Sequence, residues 1–316
     1  MNPFDNYLYF IGINALIASG ALLIDRLFGE FLNRWHPVVL MGNWINLFKR
    51  HFYKDSVVRG FWLWLTTITI SLLSVLSIIY LLTFVPTWLA IPVMMLLAST
   101  LLAHRMLYDS VLEVANSDTP QQAVAYLVSR DTAQISNSDA YKAGIETYAE
   151  NLSDGVIAPL LFLLLFGPVG IVVYKAINTL DSMVGYRTET YEKYGKISAK
   201  IDDIANYFPA RMTALFILLL FAKWQIKKTF INGKLHPSPN AGLPITAMAL
   251  VCQCRLGGPT MYFGKLKDKA YFGDAKANQQ ITSTQLKQAL SKRNLIDTFL
   301  ILASALLNAT LLLASQ

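Results

Sequence analysis

Cysteine is almost missing: the chain has two in 316 residues, Cys252 and Cys254, as a single C-x-C inside an apolar run. Without a second ligand pair that spacing makes no structural zinc site, and the two thiols read as core packing. Nucleotide signatures are absent as well. Neither a Walker A loop nor a dinucleotide-binding glycine fingerprint occurs, which excludes the ordinary P-loop and Rossmann readings. No stretch alternates well enough to mark a strand, and no internal repeat is evident, which leaves helices. Charge is sparse, with 15% of residues charged against 54% hydrophobic and a mean hydropathy of +0.41.

Apolar runs are plentiful. They fall at residues 8–24, 61–85, 88–103, 156–177, 210–222, 243–251 and 295–315. This usage exceeds that of soluble domains and predicts an all-α, polytopic integral membrane protein, organised as a single domain over 1–316. Only the second and last runs comfortably reach the roughly 20 residues of a spanning helix. The first has no small-residue cleavage site ahead of Asp25 and Arg26, so a retained helix is expected rather than a signal peptide. Gly167, Pro168 and Gly170 divide the 156–177 run into pieces too short to span, which predicts a broken or re-entrant hairpin. The runs at 210 and 243 are short too and are expected to pair around the basic loop between them.

The net charge of +7 is not arranged as a nucleic-acid footprint, and no nucleic-acid partner is expected. Residues 26–60 hold six Lys or Arg against two acids, 223–242 four against none, and 255–294 eight against two. Such flanks of apolar runs are the mark of cytoplasmic loops, with Pro86 and Thr87 as an external turn. Residues 104–155 reverse the balance, with three bases and eight acids, and there a metal is to be sought. Within them Glu146, Glu150 and Asp154 recur every four residues, along one face of a helix expected to start from an N-cap at Ser138. That face leads directly into lipid-compatible sequence, so it reads as functional against the alternative of a solvated helix surface.

Seven polar strings adjoin the apolar runs. They are HPVVLMG at 36–42, SRDT at 129–132, IETYAENLSDG at 145–155, NTLDSMVGYR at 178–187, DDIANYFPAR at 202–211, HPSPNAG at 236–242 and RLGGPTMYFG at 255–264. In this order and spacing they resemble the adenosylcobinamide-phosphate synthase family of cobalamin biosynthesis, CobD or CbiB, over nearly the whole chain. Two stretches depart from the family's pattern. Glu30 and Phe31 follow Gly29 where the family usually has Asp-Pro, and residues 232–235 replace an Asp-Ala pair that it tends to carry before the His-x-Ser-Pro-Asn string.

The resemblance implies an ATP-dependent acid–amine ligase in the inner membrane, with catalytic loops facing the cytoplasm. It would join the free propionate of adenosylcobyric acid to (R)-1-aminopropan-2-ol phosphate or to aminopropanol. Its expected partners are those substrates and the lipid bilayer, with a homo-oligomer or a complex with other corrinoid-pathway enzymes open. Carboxylate activation by phosphoryl transfer calls for Mg²⁺ and for cations on the phosphates. Oxygen ligands are offered by Glu146, Glu150, Asp154, Asp181, Asp202 and Asp203, with Asn151, Asn178 and Asn206 beside them.

Asp202 and Asp203 fit equally well an N-cap for a helix running toward Arg211. Arg130, Arg187, Arg211 and Arg255 are candidates to grip phosphate or carboxylate, while Lys175 could instead snorkel to headgroups. His236, flanked by Ser238 and Asn240, suits a general base, or else a histidine bonded into its own loop. With Arg130, Glu150 and Asp181 it makes the expected catalytic set. Gly257, Gly258 and Gly264 allow tight turns or close backbone approach to a ligand. A transporter of a corrinoid or other small anion and a noncatalytic AmpE-like modulator are the alternatives. The ligase reading asks that Arg130, Asn178, Asp181, Asp202 and Arg211 converge on residues 150–160.

Overall fold

The computed structural model describes residues 3–186, 188, 190–262 and 264–314. Its first helices are α1 (Pro3–Phe28), α2 (Pro37–Phe52), α3 (Val57–Leu82), α4 (Thr87–Ser99), α5 (His104–Asn116), α6 (Pro120–Ala125) and α7 (Asn137–Leu152). A π-helical turn (Ser153–Ile157) leads to α8 (Ala158–Val184), α9 (Lys196–Ala205), α10 (Tyr207–Leu220), α11 (Ile226–Gly233) and α12 (Gly242–Val251). Four short strands follow: β1 (Leu256–Gly257), β2 (Thr260–Tyr262), β3 (Lys265–Lys267) and β4 (Tyr271–Phe272). The chain ends in α13 (Ser283–Leu290) and α14 (Arg293–Ala314). Among the described residues five helical stretches are long and apolar enough to cross a membrane, or six if α9 and α10 count as one broken span. The protein is thus an all-α polytopic membrane protein, as the composition predicts.

The strands are what sequence reasoning missed. β1 pairs with β4 and β2 with β3, both antiparallel, in two-stranded sheets too short for alternation to show. The backbone of this region is set instead by Gly257, Gly258, Gly264 and Gly273, all at positive φ.

The chain forms two compact units. One is built from Met1–Ala103, Ala158–Ala205 and Thr298–Gln316, the other from His104–Ile157 and Asn206–Asp297. In the first unit α1, α2, α3 and α9 all pack on α8, and Ile45, Phe48, Leu63, Leu180, Val184 and Tyr194 form a buried core. α8 is broken at Gly167, whose φ of 68° and ψ of −159° are essentially open only to glycine. The rings of Phe162 and Tyr174 come within 4.9 Å of each other. Twelve residues of straight helix would hold them about 18 Å apart. The two halves therefore fold back as a hairpin, the arrangement predicted from Gly167, Pro168 and Gly170. Pro168 has no N–H to give the Leu164 carbonyl, and Asn14 Nδ2 of α1 takes that place at 3.2 Å.

Most of the described residues between 178 and 211 are helical. Asn178 and Asp181 lie in the last turns of α8, and Asp202 and Asp203 sit inside α9, so neither aspartate is the N-cap of the helix toward Arg211. In the second unit α12 is buried along its length by α7, α10 and α11. The short runs at 210 and 243 do pair. α7 starts from Ser136, whose Oγ accepts the Asp139 N–H at 3.1 Å, rather than from Ser138. Ser138 Oγ accepts the Ile281 N–H at 2.7 Å instead. Cys252 and Cys254 are buried free thiols, and burial pushes Cys254 up to about 12.

Candidate functional site

α7 ties three of the polar strings together through one side chain. Glu146 is buried; its Oε2 accepts from Arg130 Nη2 at 2.5 Å and its Oε1 accepts from the Gly257 backbone N–H at 2.7 Å. SRDT, IETYAENLSDG and RLGGPTMYFG therefore meet at this carboxylate. Asp131 reinforces the join: its N–H donates to the Met261 carbonyl at 3.1 Å, and its Oδ2 accepts the Gly264 N–H at 2.7 Å. Gly257 has a φ of 74° and lies against the Ala270 carbonyl and the Phe272 ring, so no side chain fits there. The paired glycines act as a joint between hairpins and α7, since the Gly258 N–H is also taken, by Ala270 O at 3.1 Å.

Glu146 was a candidate metal ligand, but both its oxygens hold donors and it acts here as the clamp on Arg130. Burial penalises the Arg130 cation, and Glu146 more than offsets this, holding the guanidinium above its ordinary pKa. Arg130 Nε is buried and has no acceptor among the described residues. A buried donor left this way marks a place for a ligand oxygen. Glu150 lies one turn further along α7, half-buried, and its charge is felt at Arg130. Asp154 is half-buried in the π turn that continues α7. Asn151 is exposed and donates to the Thr147 carbonyl at 3.0 Å. Among the described residues no three His, Cys, Asp or Glu side chains gather as a metal cage.

A second polar group lies where α10 packs on the π turn and on α12. Arg211 donates to Asn240 Oδ1 at 3.3 Å and stacks 3.4 Å from the Tyr207 ring centroid. DDIANYFPAR and HPSPNAG thus meet as well. His236 Nδ1 lies 3.1 Å from the Ser238 nitrogen and 3.4 Å from the Ser238 carbonyl oxygen, which bonds the ring into its own loop. Ser238 Oγ accepts the Asn240 N–H at 3.2 Å, and Arg255 lies 4.0 Å over the Tyr271 ring. Asn178, Asp181, Asp202 and Asp203 belong to the first unit, on α8 and α9, which pack together. Lys175 is buried there, and Gly185 leaves room for the Asp181 carboxylate. Arg187 lies outside the described residues.

A family model described as CobD/Cbib protein matches residues 18–292. The chain belongs to this family. Its curated relatives carry the name cobalamin biosynthesis protein CobD. One from Streptococcus sanguinis is 39% identical over 269 residues, covering 80% of this chain and 85% of its own. Another from Photorhabdus laumondii is 36% identical over 286 residues, covering 84% and 89%. A third from Geobacter metallireducens is 38% identical over 273 residues, covering 80% and 85%. No solved structure matches the chain.

Membership in the CobD/CbiB family places the chain in cobalamin biosynthesis and gives its departures a meaning. Where the family tends to carry an aspartate before the HPSPNAG string, Asn232 Nδ2 donates to the Gly273 carbonyl at 2.9 Å, beside a Lys228–Asp274 pair at 2.5 Å. A carboxylate has no N–H for that carbonyl, so the asparagine suits this chain's own β4 loop.

Two further groups escaped the sequence reading. Lys269, two residues past β3, donates to Tyr262 of β2 at 2.6 Å, and Asp131 fastens that hairpin next to Arg130. His104 Nδ1 meets Asp297 Oδ1 at 2.5 Å, with Tyr148 Oη at 3.3 Å from Nε2, all buried in the second unit. Asp297 inside the last apolar run was the available signal for that network. In the first unit a cavity of about 240 Å³ between α2, α3, α4 and α8 is lined by Met41, Trp44, Ser71, Met94 and other side chains, none of them ionisable, and so lies apart from the chemistry.

Proposed function

We propose that this family member is an adenosylcobinamide-phosphate synthase of the inner membrane, acting on the cytoplasmic side. The observation that carries the reading is the buried, Glu146-clamped Arg130 with its unpartnered Nε beside Glu150. In the proposed reaction a propionate oxygen of adenosylcobyric acid attacks the γ-phosphorus of ATP, ADP leaves, and an acyl phosphate forms. The amine of aminopropanol phosphate then attacks the acyl carbon, inorganic phosphate leaves with the C–O pair, and the amide nitrogen loses a proton.

The residues present fit these needs. Arg130 is pre-oriented by a carboxylate that it does not have to find on binding, so its free donor can meet a phosphoryl or carboxylate oxygen at little ordering cost. Arg211, held by Asn240 and stacked on Tyr207, offers a second guanidinium in the same unit. Glu150, with Asp154 near it in the chain, suits Mg²⁺, which commonly takes one or two protein carboxylates and completes its shell with phosphate oxygens and water. Bound there, the ion would neutralise charge developing on the transferred phosphoryl group.

The test is reconstitution of the purified protein with adenosylcobyric acid, aminopropanol phosphate and Mg-ATP, with the product followed by mass. ATP-dependent adenosylcobinamide phosphate is expected, and is lost in Glu150→Gln and in Asp181→Asn variants that still insert and fold. Full turnover in Glu150→Gln would remove the metal assignment. Substrate movement across vesicles without any ATP-dependent product would replace the ligase by a transporter.

A further inference from the structure

Arg130 is not the only cation on this part of the second unit. Through Asp131 the β2–β3 hairpin is fastened beside Arg130, at Met261 and at Gly264. Tyr262 of β2 follows Met261, whose carbonyl takes the Asp131 N–H, and Lys269 lies two residues past β3. Lys269 Nζ donates to Tyr262 Oη at 2.6 Å and lies 4.5 Å from the ring centroid. Its partner is neutral, and among the described residues no carboxylate pairs with it. A lysine with one acceptor keeps two further N–H donors. Arg130, by contrast, has its charge matched by Glu146 and a single buried donor unmatched. Three N–H donors on a wall fixed by backbone hydrogen bonds are suited to a tetrahedral oxyanion.

We propose that Lys269, held by Tyr262, joins Arg130 in a subsite for a phosphoryl group, carried either by the triphosphate of the nucleotide or by the phosphorylated amine. The inference rests on the ligase reading and adds two residues to it. Lys269 touches the phosphoryl oxygens; Tyr262 positions it, since a phenol acceptor restricts a side chain that otherwise loses much rotamer freedom on binding.

The experiment titrates inorganic tripolyphosphate and aminopropanol phosphate into the full-length protein in detergent by calorimetry, and measures KM and kcat for ATP and for the amine. Lys269→Ala is expected to weaken at least one anion about tenfold, the scale of one charge-assisted hydrogen bond, and to raise the matching KM with kcat little changed. Lys269→Arg should retain binding, Tyr262→Phe should lose part of it, and all three should unfold at the temperature of the wild type. A loss confined to tripolyphosphate and ATP identifies the nucleotide, and one confined to aminopropanol phosphate identifies the amine. Wild-type affinity for both anions in Lys269→Ala, or no binding of either anion by the wild type, overturns the subsite. A wild type that makes no amide yet binds anions through Lys269 would sink the ligase reading and leave the subsite standing.

Discussion

At the scale of the residue, Glu146 carries the sharpest consequences. Its side chain and that of Arg130 are 11% and 10% exposed, so each is the other's main compensation for burial. Removing one charge strands the other, which in buried pairs costs about 3–5 kcal/mol. Glu146→Gln should therefore lower the unfolding temperature markedly in detergent, and adding Arg130→Met should recover much of the loss; a Glu146→Gln protein as stable as the wild type would show that the pair contributes nothing.

His36 makes a prediction of the opposite kind. Burial lowers its pKa, Lys175 adds to this, and Glu30 and the Thr100 backbone oppose without reversing it. The folded state thus prefers the neutral ring. The stability this gives is complete above the ordinary histidine pKa of about 6.5 and is lost as pH falls through the window below it. Unfolding temperature should fall more steeply between pH 7 and pH 5 in the wild type than in His36→Gln, and equal slopes would refute it. Arg130 and Glu150 were legible as candidates because charges beside apolar runs need a reason. The choice of partners was not legible, since Glu146 selects an arginine 16 residues away and an N–H 111 residues away, and neither is encoded in local periodicity.

At the scale of the element, the helices and the hairpin in α8 could be read because punctuation and hydropathy agree. Gly167, Pro168 and Gly170 interrupt a run that is otherwise lipid-compatible, and the backbone breaks at the first of them. A Cβ at Gly167 would meet Asn14 Oδ1 and the Phe10 ring in a conformation that costs other residues about 1–3 kcal/mol. Gly167→Ala should lower the melting temperature, and Asn14→Leu should lower it too, at a stability cost of about 1–2 kcal/mol from the stranded Leu164 carbonyl. Melting curves of the two variants that superpose on the wild type would contradict the hairpin. The β strands and the π turn stayed hidden for a common reason: each is fixed by contacts with distant chain, the strands by partners and the turn by packing on α10.

At the scale of the whole molecule, the basic loops and the turn after α3 predict an orientation that labelling can check. Lys54 and Thr87 are both exposed, and the native thiols are buried, so single introduced cysteines report on one site each. Lys54→Cys should react only from the cytoplasmic face and Thr87→Cys only from the outer face; the reverse pattern would invert the topology and put the basic loops outside.

The interleaving of the two units bears on how the protein is made. The first unit needs residues 298–316 and the second needs residues up to Asp297, so neither can close while the ribosome is still reading the middle of the message. At about 5–20 residues per second synthesis takes roughly 15–60 s, during which α1 waits for α8 and then for Asn308, whose Nδ2 donates to the Gly12 carbonyl. In that interval Asn14 and Lys175 rely on the insertion machinery or on water for their hydrogen bonds, which makes biogenesis more exposed to defects in this chain than the finished fold is.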